Sequence, residues 1–317
     1  MYLNRMKHTI LGSGGPVGKP LAEALHASGK PLRLVSRNPN ASHGAGEYLP
    51  ADLTNPAVLD KAVEGSEVVY VTVGFPYSTK VWQQVWPPFM KATVDACEKH
   101  GSKLVFFDNV YLYQKSATPH LTENSAIGAQ TQKGKVRQQV AQMVTDAHEQ
   151  GRVTALIARS ADFYGPNVAN SLMEAAVLNK LVKGKKAQWL GRKDMPHNFT
   201  YTPDAGKATA LLGCDNSAYG DVWHLPTDPE TLTAEQWIKA LSDNYGIPFK
   251  GVQLAPGWMV KMIGWFDPIM REMHEMLYQM EQPYFFDSSK FEQKYGKLYT
   301  PHAEALQQIV KASRKEQ

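Results

Sequence analysis

The sequence predicts an α/β fold, a doubly wound parallel sheet joined to a smaller mixed substrate-binding part, and three observations carry that expectation. Short apolar runs alternate with helical patterns through the first half of the chain. A glycine-rich turn follows the first of those runs, and the rhythm changes after Pro166. Strands that alternate with helices of this length imply right-handed crossovers and a parallel sheet covered by helices on both faces.

The elements follow in order. A strand is expected at His8 to Leu11, a helix at Val17 to Ser28 and a second strand at Pro31 to Val35. Further buried strands are expected at Val68 to Val73, Lys103 to Phe107 and Val153 to Ile157. Helices are expected at Asn55 to Val63, Lys80 to His100 and Gln132 to Gln150. Beyond Pro166 the sequence suggests a helix (Ser171 to Lys183), a strand near Gln188 to Leu190 and a stretch at Asn198 to Thr202. A helix (Pro203 to Leu212) and a strand (Val222 to Leu225) come next. Pro256 to Gln282 is dense in methionine and tryptophan and reads first as packing material, with an adaptable substrate wall as the lesser reading. Lys311 to Gln317 reads as a loose tail.

With 317 residues, 43% hydrophobic and 20% charged, the chain has ample material for a core. Its net charge of +4 is spread along the chain, and the basic runs (Lys183, Lys185, Lys186 and Arg192, Lys193) are short, so no nucleic-acid partner is expected. No run is long enough to span a membrane, so no membrane partner is expected either. The lone Cys97 and Cys214 suggest reduced thiols and a cytoplasmic protein. No metal is expected: the ten histidines show no ligand spacing, and His274-Glu275 lacks a second histidine at the zinc-binding interval. No Gly-x-Ser-x-Gly elbow occurs.

Gly12-Ser13-Gly14-Gly15-Pro16-Val17-Gly18 lies between an expected strand and an expected helix, the context in which such a loop holds a dinucleotide. Gly12 permits the tight turn, Gly15 lets the backbone approach a pyrophosphate, and Gly18 lets the helix pack close to the sheet. Free N–H groups and the helix dipole then meet the phosphate charge. At the end of the second strand an NAD site normally carries an acid for the ribose 2′-hydroxyl. Here the chain reads Ser36-Arg37, with no acid between Glu23 and Glu47. Arg37 and Ser36 suit a 2′-phosphate, so NADP is the expected cofactor and NAD the second choice.

These residues resemble the extended short-chain dehydrogenase/reductase family, which contains sugar-nucleotide epimerases and dehydratases. The glycine spacing resembles that family's fingerprint. Asp52-Leu53 is similar to the pair that holds the adenine, and Val73-Gly74 to the small residues that line the cofactor. Phe106 to Tyr113 resembles the fifth strand and active-site loop. Ala158 to Pro166 resembles the Arg-Pro-x-x-x-Tyr-Gly-Pro segment, and Tyr201 to Asp204 the later Tyr-Val-x-Asp motif. The family's catalysis uses a Ser or Thr after the fifth strand and a Tyr-x-x-x-Lys on the next helix. By that resemblance Lys135 takes the lysine's place, as ligand of the nicotinamide ribose. Thr131 stands where the tyrosine belongs and Asn109 where the serine belongs.

A threonine hydroxyl cannot replace a phenol as general acid; losing such a group typically costs about 10²–10⁴ in rate. Asn109, Tyr113 and Tyr164 are therefore the remaining catalytic candidates beside Lys135, with Tyr111 nearby. Asn109 is able to orient a carbonyl but not to act as a base. By the resemblance Tyr113 and Tyr164 fall on loops facing the nicotinamide, though each taken singly reads first as a packed tyrosine bonded to backbone; Arg137 is expected on the helix surface.

The expected organisation is a cofactor part, residues 1–165 with 203–225, and a substrate part, 166–202 with 226–317. The expected activity is NADP(H)-dependent redox chemistry, or epimerase/dehydratase-like chemistry, on a small carbonyl or sugar-like molecule. The alternative is a non-catalytic protein that senses NADP(H). The resemblance also implies a homodimer.

Overall fold

The computed structural model describes residues 6–37, 46–166, 168, 171 and 173–315. Seven parallel strands form the central sheet: β1 (Lys7–Leu11), β2 (Leu32–Ser36), β3 (Glu47–Pro50), β4 (Ser66–Val71), β5 (Lys103–Asp108), β6 (Ala155–Arg159) and β7 (Val222–His224). Their spatial order, β7-β6-β5-β4-β1-β2-β3, reverses direction between β1 and β4, the doubly wound arrangement expected from the sequence.

Side chains alternate across these strands and so divide the core in two. Val69, Val71, Leu104, Phe106 and Ile157 point to one face, beneath α2 (Pro56–Val63), α3 (Thr79–His100) and α4 (Gln132–Glu149). Val68, Tyr70, Val105, Leu156 and Ala158 point to the other, beneath α1 (Gly18–Ala27) and α5 (Thr202–Cys214). Near-continuous apolar strands are what burial on both faces demands. The edge strand β3 is only half-buried and begins with Glu47, which explains why no apolar run announces it.

A third cluster gathers residues between Tyr164 and Ile309, with Trp189, Phe199 and Trp237 at its centre. The helix expected at Ser171 to Lys183 is a π-helix over Met173–Leu178 followed by the short α-helix Asn179–Leu181. The expected strand near Gln188 forms as Ala187–Leu190 and pairs with Val252–Ala255 in a separate two-stranded sheet. Four helices that the sequence reading did not place complete this part before the C-terminus: α6 (Ala234–Tyr245), α7 (Gly257–Ile263), α8 (Pro268–Met276) and α9 (Ser289–Tyr295). The expected loose tail is corrected. Lys311 belongs to α10 (His302–Lys315), which buries Ala305, Leu306, Ile309 and Val310, while Glu316 and Gln317 lie outside the described residues. The packing reading of the Met/Trp stretch also needs correction: Val260, Met276 and Met280 are buried, but Trp258, Trp265 and Phe266 are 65%, 70% and 87% exposed.

The approach of α1 to α5 is set by Gly206, where an added Cβ would lie 2.7 Å from the Leu21 nitrogen and the Pro20 carbonyl carbon. Backbone cannot yield as a side chain can. Gly206→Ala is expected to destabilise the protein by about 1–3 kcal/mol. A lower urea midpoint at unchanged denaturant slope would show it.

Candidate functional site

The glycine loop sits where the sheet changes direction, outside the carboxyl end of β1. Gly12 adopts φ +99°, and a Cβ there would come within 2.5 Å of the Val73 nitrogen on the neighbouring strand's exit. At Gly18 a Cβ would come within 2.4 Å of the Gly12 carbonyl oxygen. Glycine at both positions is therefore enforced by the protein itself. Gly15 differs: its Cβ would meet the Gly12 oxygen at 3.3 Å, and the loop's Gly14 and Pro16 are exposed. Gly74 faces open space. Val17 gives α1 no side-chain cap, and the helix has no acid in its first turn. Ser13 is fully buried, yet its hydroxyl has no hydrogen-bond partner in the protein. Buried polar groups are seldom left so. A helix start without a side-chain cap and an orphan buried hydroxyl fit a phosphate-bearing ligand.

Ser36 and Arg37 end β2, with Arg37 exposed. The Ser36 carbonyl accepts from the Tyr48 hydroxyl (3.0 Å) and the Ala51 N–H (3.2 Å). Asp52 is exposed and takes the Thr54 N–H (3.1 Å) and hydroxyl (2.8 Å). Those bonds, with the charge of Arg37 nearby, hold its carboxyl below the usual range. Leu53 is buried in the core beside α2.

The catalytic candidates are not brought together. Asn109 closes a turn, its side-chain oxygen accepting the Tyr111 N–H at 3.1 Å. Tyr113 is 2% exposed. Its hydroxyl accepts from Arg159 Nη1 (2.7 Å) and donates to His224 Nε2 (2.9 Å), while His224 Nδ1 donates to the Asp287 carbonyl (2.8 Å). Tyr164 is packed between Trp237 and Tyr201, with its hydroxyl on His302 Nδ1 at 3.0 Å. Both phenols are committed inside the protein, in keeping with the packed reading of each and not with a role at the nicotinamide. Burial raises the pKa of each.

Lys135 needs the same correction. It is exposed on the outer side of α4, in an open groove with Gln138, Gln142 and Asp146. Two residues earlier on the helix, about 200° round its axis, Lys133 is fully buried. Its ammonium bonds Thr79 Oγ1 (3.1 Å), the Glu272 carbonyl (3.2 Å) and both carboxylates of Glu272 and Glu275, 4.7 Å from the Tyr77 ring centre. Thr131, read as a lost tyrosine, is the N-cap of α4 and accepts the Gly134 N–H at 3.0 Å. Arg137, expected on the surface, is 3% exposed. Its Nε donates to Asp108 Oδ1 (2.8 Å), and its guanidinium lies 4.4 Å from the Trp86 ring centre and 4.7 Å from that of Phe106. Arg159 holds the other oxygen of Asp108 (3.1 Å from Nη2). Lys133 and Arg137 thus repeat on the inner face the four-residue spacing sought at Thr131 and Lys135. Tyr111 stacks on Trp82 and bonds Tyr77, and burial holds its phenol well above the ordinary value.

A crossover-linked parallel sheet with this glycine loop defines a Rossmann-type protein of the extended short-chain class. The sequence matches the NAD dependent epimerase/dehydratase family over residues 8–218, two thirds of the chain, and the protein belongs to that family. No curated protein sequence matches it. Among solved structures it is similar to a dTDP-glucose 4,6-dehydratase of Streptomyces venezuelae with NAD bound (15% identity, 98% of this chain and 97% of that one, TM-score 0.81). It is also similar to the UDP-N-acetylglucosamine 4-epimerase of Bacillus cereus (15%, 98% and 96%, TM-score 0.77). A third is the UDP-glucose 4-epimerase of Thermus thermophilus, in complex with NAD (14%, 98% and 99%, TM-score 0.78). At such identities the likeness shows the fold. Among the described residues no helix is long and apolar enough to cross a membrane, and no cluster of metal-ligating side chains occurs.

The buried polar network has measurable consequences for stability. Asp108→Asn would leave Arg137 and Arg159 buried without their anion, at an expected cost of about 3–5 kcal/mol, read as a fall in melting temperature. Burial lowers His224 to about 3 and His8 to about 4, so both are neutral in the folded protein at pH 5. The unfolded chain binds a proton at each near pH 6.5, so stability falls as pH drops below that value. Each histidine contributes a slope of up to about 1.4 kcal/mol per pH unit. Urea unfolding at pH 6.5, 5.5 and 5.0 measures it, and a flat profile would contradict the assignment.

Proposed function

We propose that this protein binds NADP(H) in preference to NAD(H) and uses it in redox chemistry on a small carbonyl or sugar-like substrate. The observation that carries the reading is the glycine loop, drawn tight by backbone at Gly12 and Gly18, with the uncapped start of α1 and the unpartnered Ser13 hydroxyl beside it. Residues 1–165 with 203–225 are assigned to the cofactor and 166–202 with 226–317 to the substrate. The sugar nucleotides named for several similar structures support a sugar-like substrate.

When bound, the nicotinamide supplies a hydride donor or acceptor; this chain's residues bind and orient it and handle the proton. The uncapped start of α1 and the Ser13 hydroxyl meet the pyrophosphate. Arg37, exposed beside Ser36, takes the 2′-phosphate. With Tyr113 and Tyr164 committed elsewhere, proton handling falls to the groups at the β4 and β5 exits: Tyr77, Tyr111 and Lys133. Burial keeps Tyr111 protonated at neutral pH, so its hydroxyl is able to offer a hydrogen bond to a substrate oxygen.

Titration with NADPH and NADH, followed by energy transfer from tryptophan to the nicotinamide, tests the binding. NADPH is expected to bind more tightly. Arg37→Ala should weaken NADPH about tenfold or more, the worth of a charge-assisted phosphate contact, and leave NADH nearly unchanged. Equal affinity for the two cofactors in the unaltered protein would remove the 2′-phosphate role. Binding of neither would remove the function.

A further inference from the structure

Helix α8 crosses the sheet edge where β4 and β5 end. Met270 and Met273 pack it against the third core cluster, and Met276 at its end is buried. Toward the sheet it presents two carboxylates, each set on the start of a helix far away in sequence. Glu272 accepts the Thr79 N–H at 3.0 Å and the Thr79 hydroxyl at 2.7 Å, serving α3, whose own Ser78 makes no capping bond. Glu275 accepts the N–H groups of Gln132 and Lys133 at the start of α4. The Lys133 ammonium stands between the two and bonds both.

We propose that α8 is a strap latched across this edge, and that Lys133 is the cationic group at the head of α4 that bound ligand meets when the strap lifts. The proposal rests on the dinucleotide-binding reading above. Its warrant is first one of position: parallel α/β sheets receive ligands outside the carboxyl ends of their strands, beside the point where strand order reverses. Both latch points lie there, on the exits of β4 and β5, next to the glycine loop of β1.

The second warrant is charge. A fully buried ammonium needs an anion, and here both anions arrive on an element from the other part of the chain. With α8 lifted, Lys133 and two helix starts are left without them and accept an anionic oxygen of the ligand, phosphate or carboxylate. The third warrant is the weakness of the closure. Trp265, Phe266 and Ile269 on the outer side of the α7–α8 hairpin are 70%, 87% and 64% exposed, so the burial of these groups does not hold it down. The methionines hold its far side to the third cluster, and the carboxylate contacts alone close the side facing the starts of α3 and α4.

The test is the double variant Glu272→Gln/Glu275→Gln, which keeps side-chain shape and removes both charges. Lys133 is acylated with acetic anhydride and quantified by peptide mass spectrometry, with and without NADPH, and NADPH binding is read in the same samples by energy transfer from tryptophan. Lys133 is expected to be unreactive in the unaltered protein and at least about tenfold faster in the variant, as loss of a buried ion pair implies. Bound NADPH is expected to suppress that labelling. Amide exchange over residues 268–276 should accelerate in the variant and also in Lys133→Met, while exchange in β1, β4 and β5 stays slow. Unchanged labelling and unchanged exchange would overturn the strap. Rapid labelling that bound NADPH leaves untouched would overturn the ligand role of Lys133. Failure of the unaltered protein to bind NADPH would instead overturn the cofactor reading, with the exchange data still deciding the strap.

Discussion

The Asp108 carboxylate is the contact on which the geometry of the site depends. It ends β5, is 1% exposed, and is shared between Arg137 of α4 and Arg159 at the end of β6. Asp108 and Arg159 are register partners on adjacent strands, so the pair is built into the sheet. Arg159 passes the contact on to Tyr113 and, through it, to His224 on β7. One carboxylate therefore ties three strands and a helix together. A buried group of this kind gives less net stability than its bond count suggests, because desolvation offsets the attraction. What it supplies here is orientation. With Arg137 drawn inward over Trp86 and Phe106, the rotation of α4 about its axis is fixed. Lys133, one turn earlier, must then face inward and Lys135 outward.

Around that frame the glycine loop is a packing solution with a polar remainder. Gly12 and Gly18 are there because backbone occupies the space where a side chain would go. The start of α1 has no side-chain cap because its N-cap is Val17, whose side chain carries no acceptor. The tightness needed to fold the loop and the openness needed to receive a phosphate thus come from neighbouring residues of a single turn.

The first half of the fold was legible because strands buried on both faces show as uninterrupted apolar runs. β3 was not, since an edge strand with pattern exposed at both ends carries no such run. α6 carries a readable signal of its own: Thr233 and Gln236 form a capping box, and that spacing before an apolar pattern marks a helix start. The cofactor loop was legible for the reason that glycine spacing reports backbone crowding directly. The inner face of α4 was harder. Arg137 reads as a surface charge until its anion is found 29 residues earlier at the end of Phe106-Phe107-Asp108. The available hint was a carboxylate and an arginine ending adjacent buried strands, since charges there require partners.

Thr131 shows how a motif comparison can mislead about rotation. Set beside Tyr-x-x-x-Lys, Thr131 and Lys135 look like a dyad with one member lost. In the folded chain Thr131 lies outside the helix, in extended conformation, with its hydroxyl spent on the Gly134 N–H. As the N-cap it sets where the helix begins, and it sits outside the turn that a Tyr-x-x-x-Lys pair would share. Spacing by four is preserved when the frame moves by two, so Lys133 and Arg137 satisfy the same interval on the opposite face of the helix. Helix cap chemistry selects between the two frames, because it fixes where the first turn begins and therefore which residues point at the sheet. The cationic pair on the inner face is then a consequence of Thr131 and Asp108 acting together, one setting the start of α4 and the other its rotation.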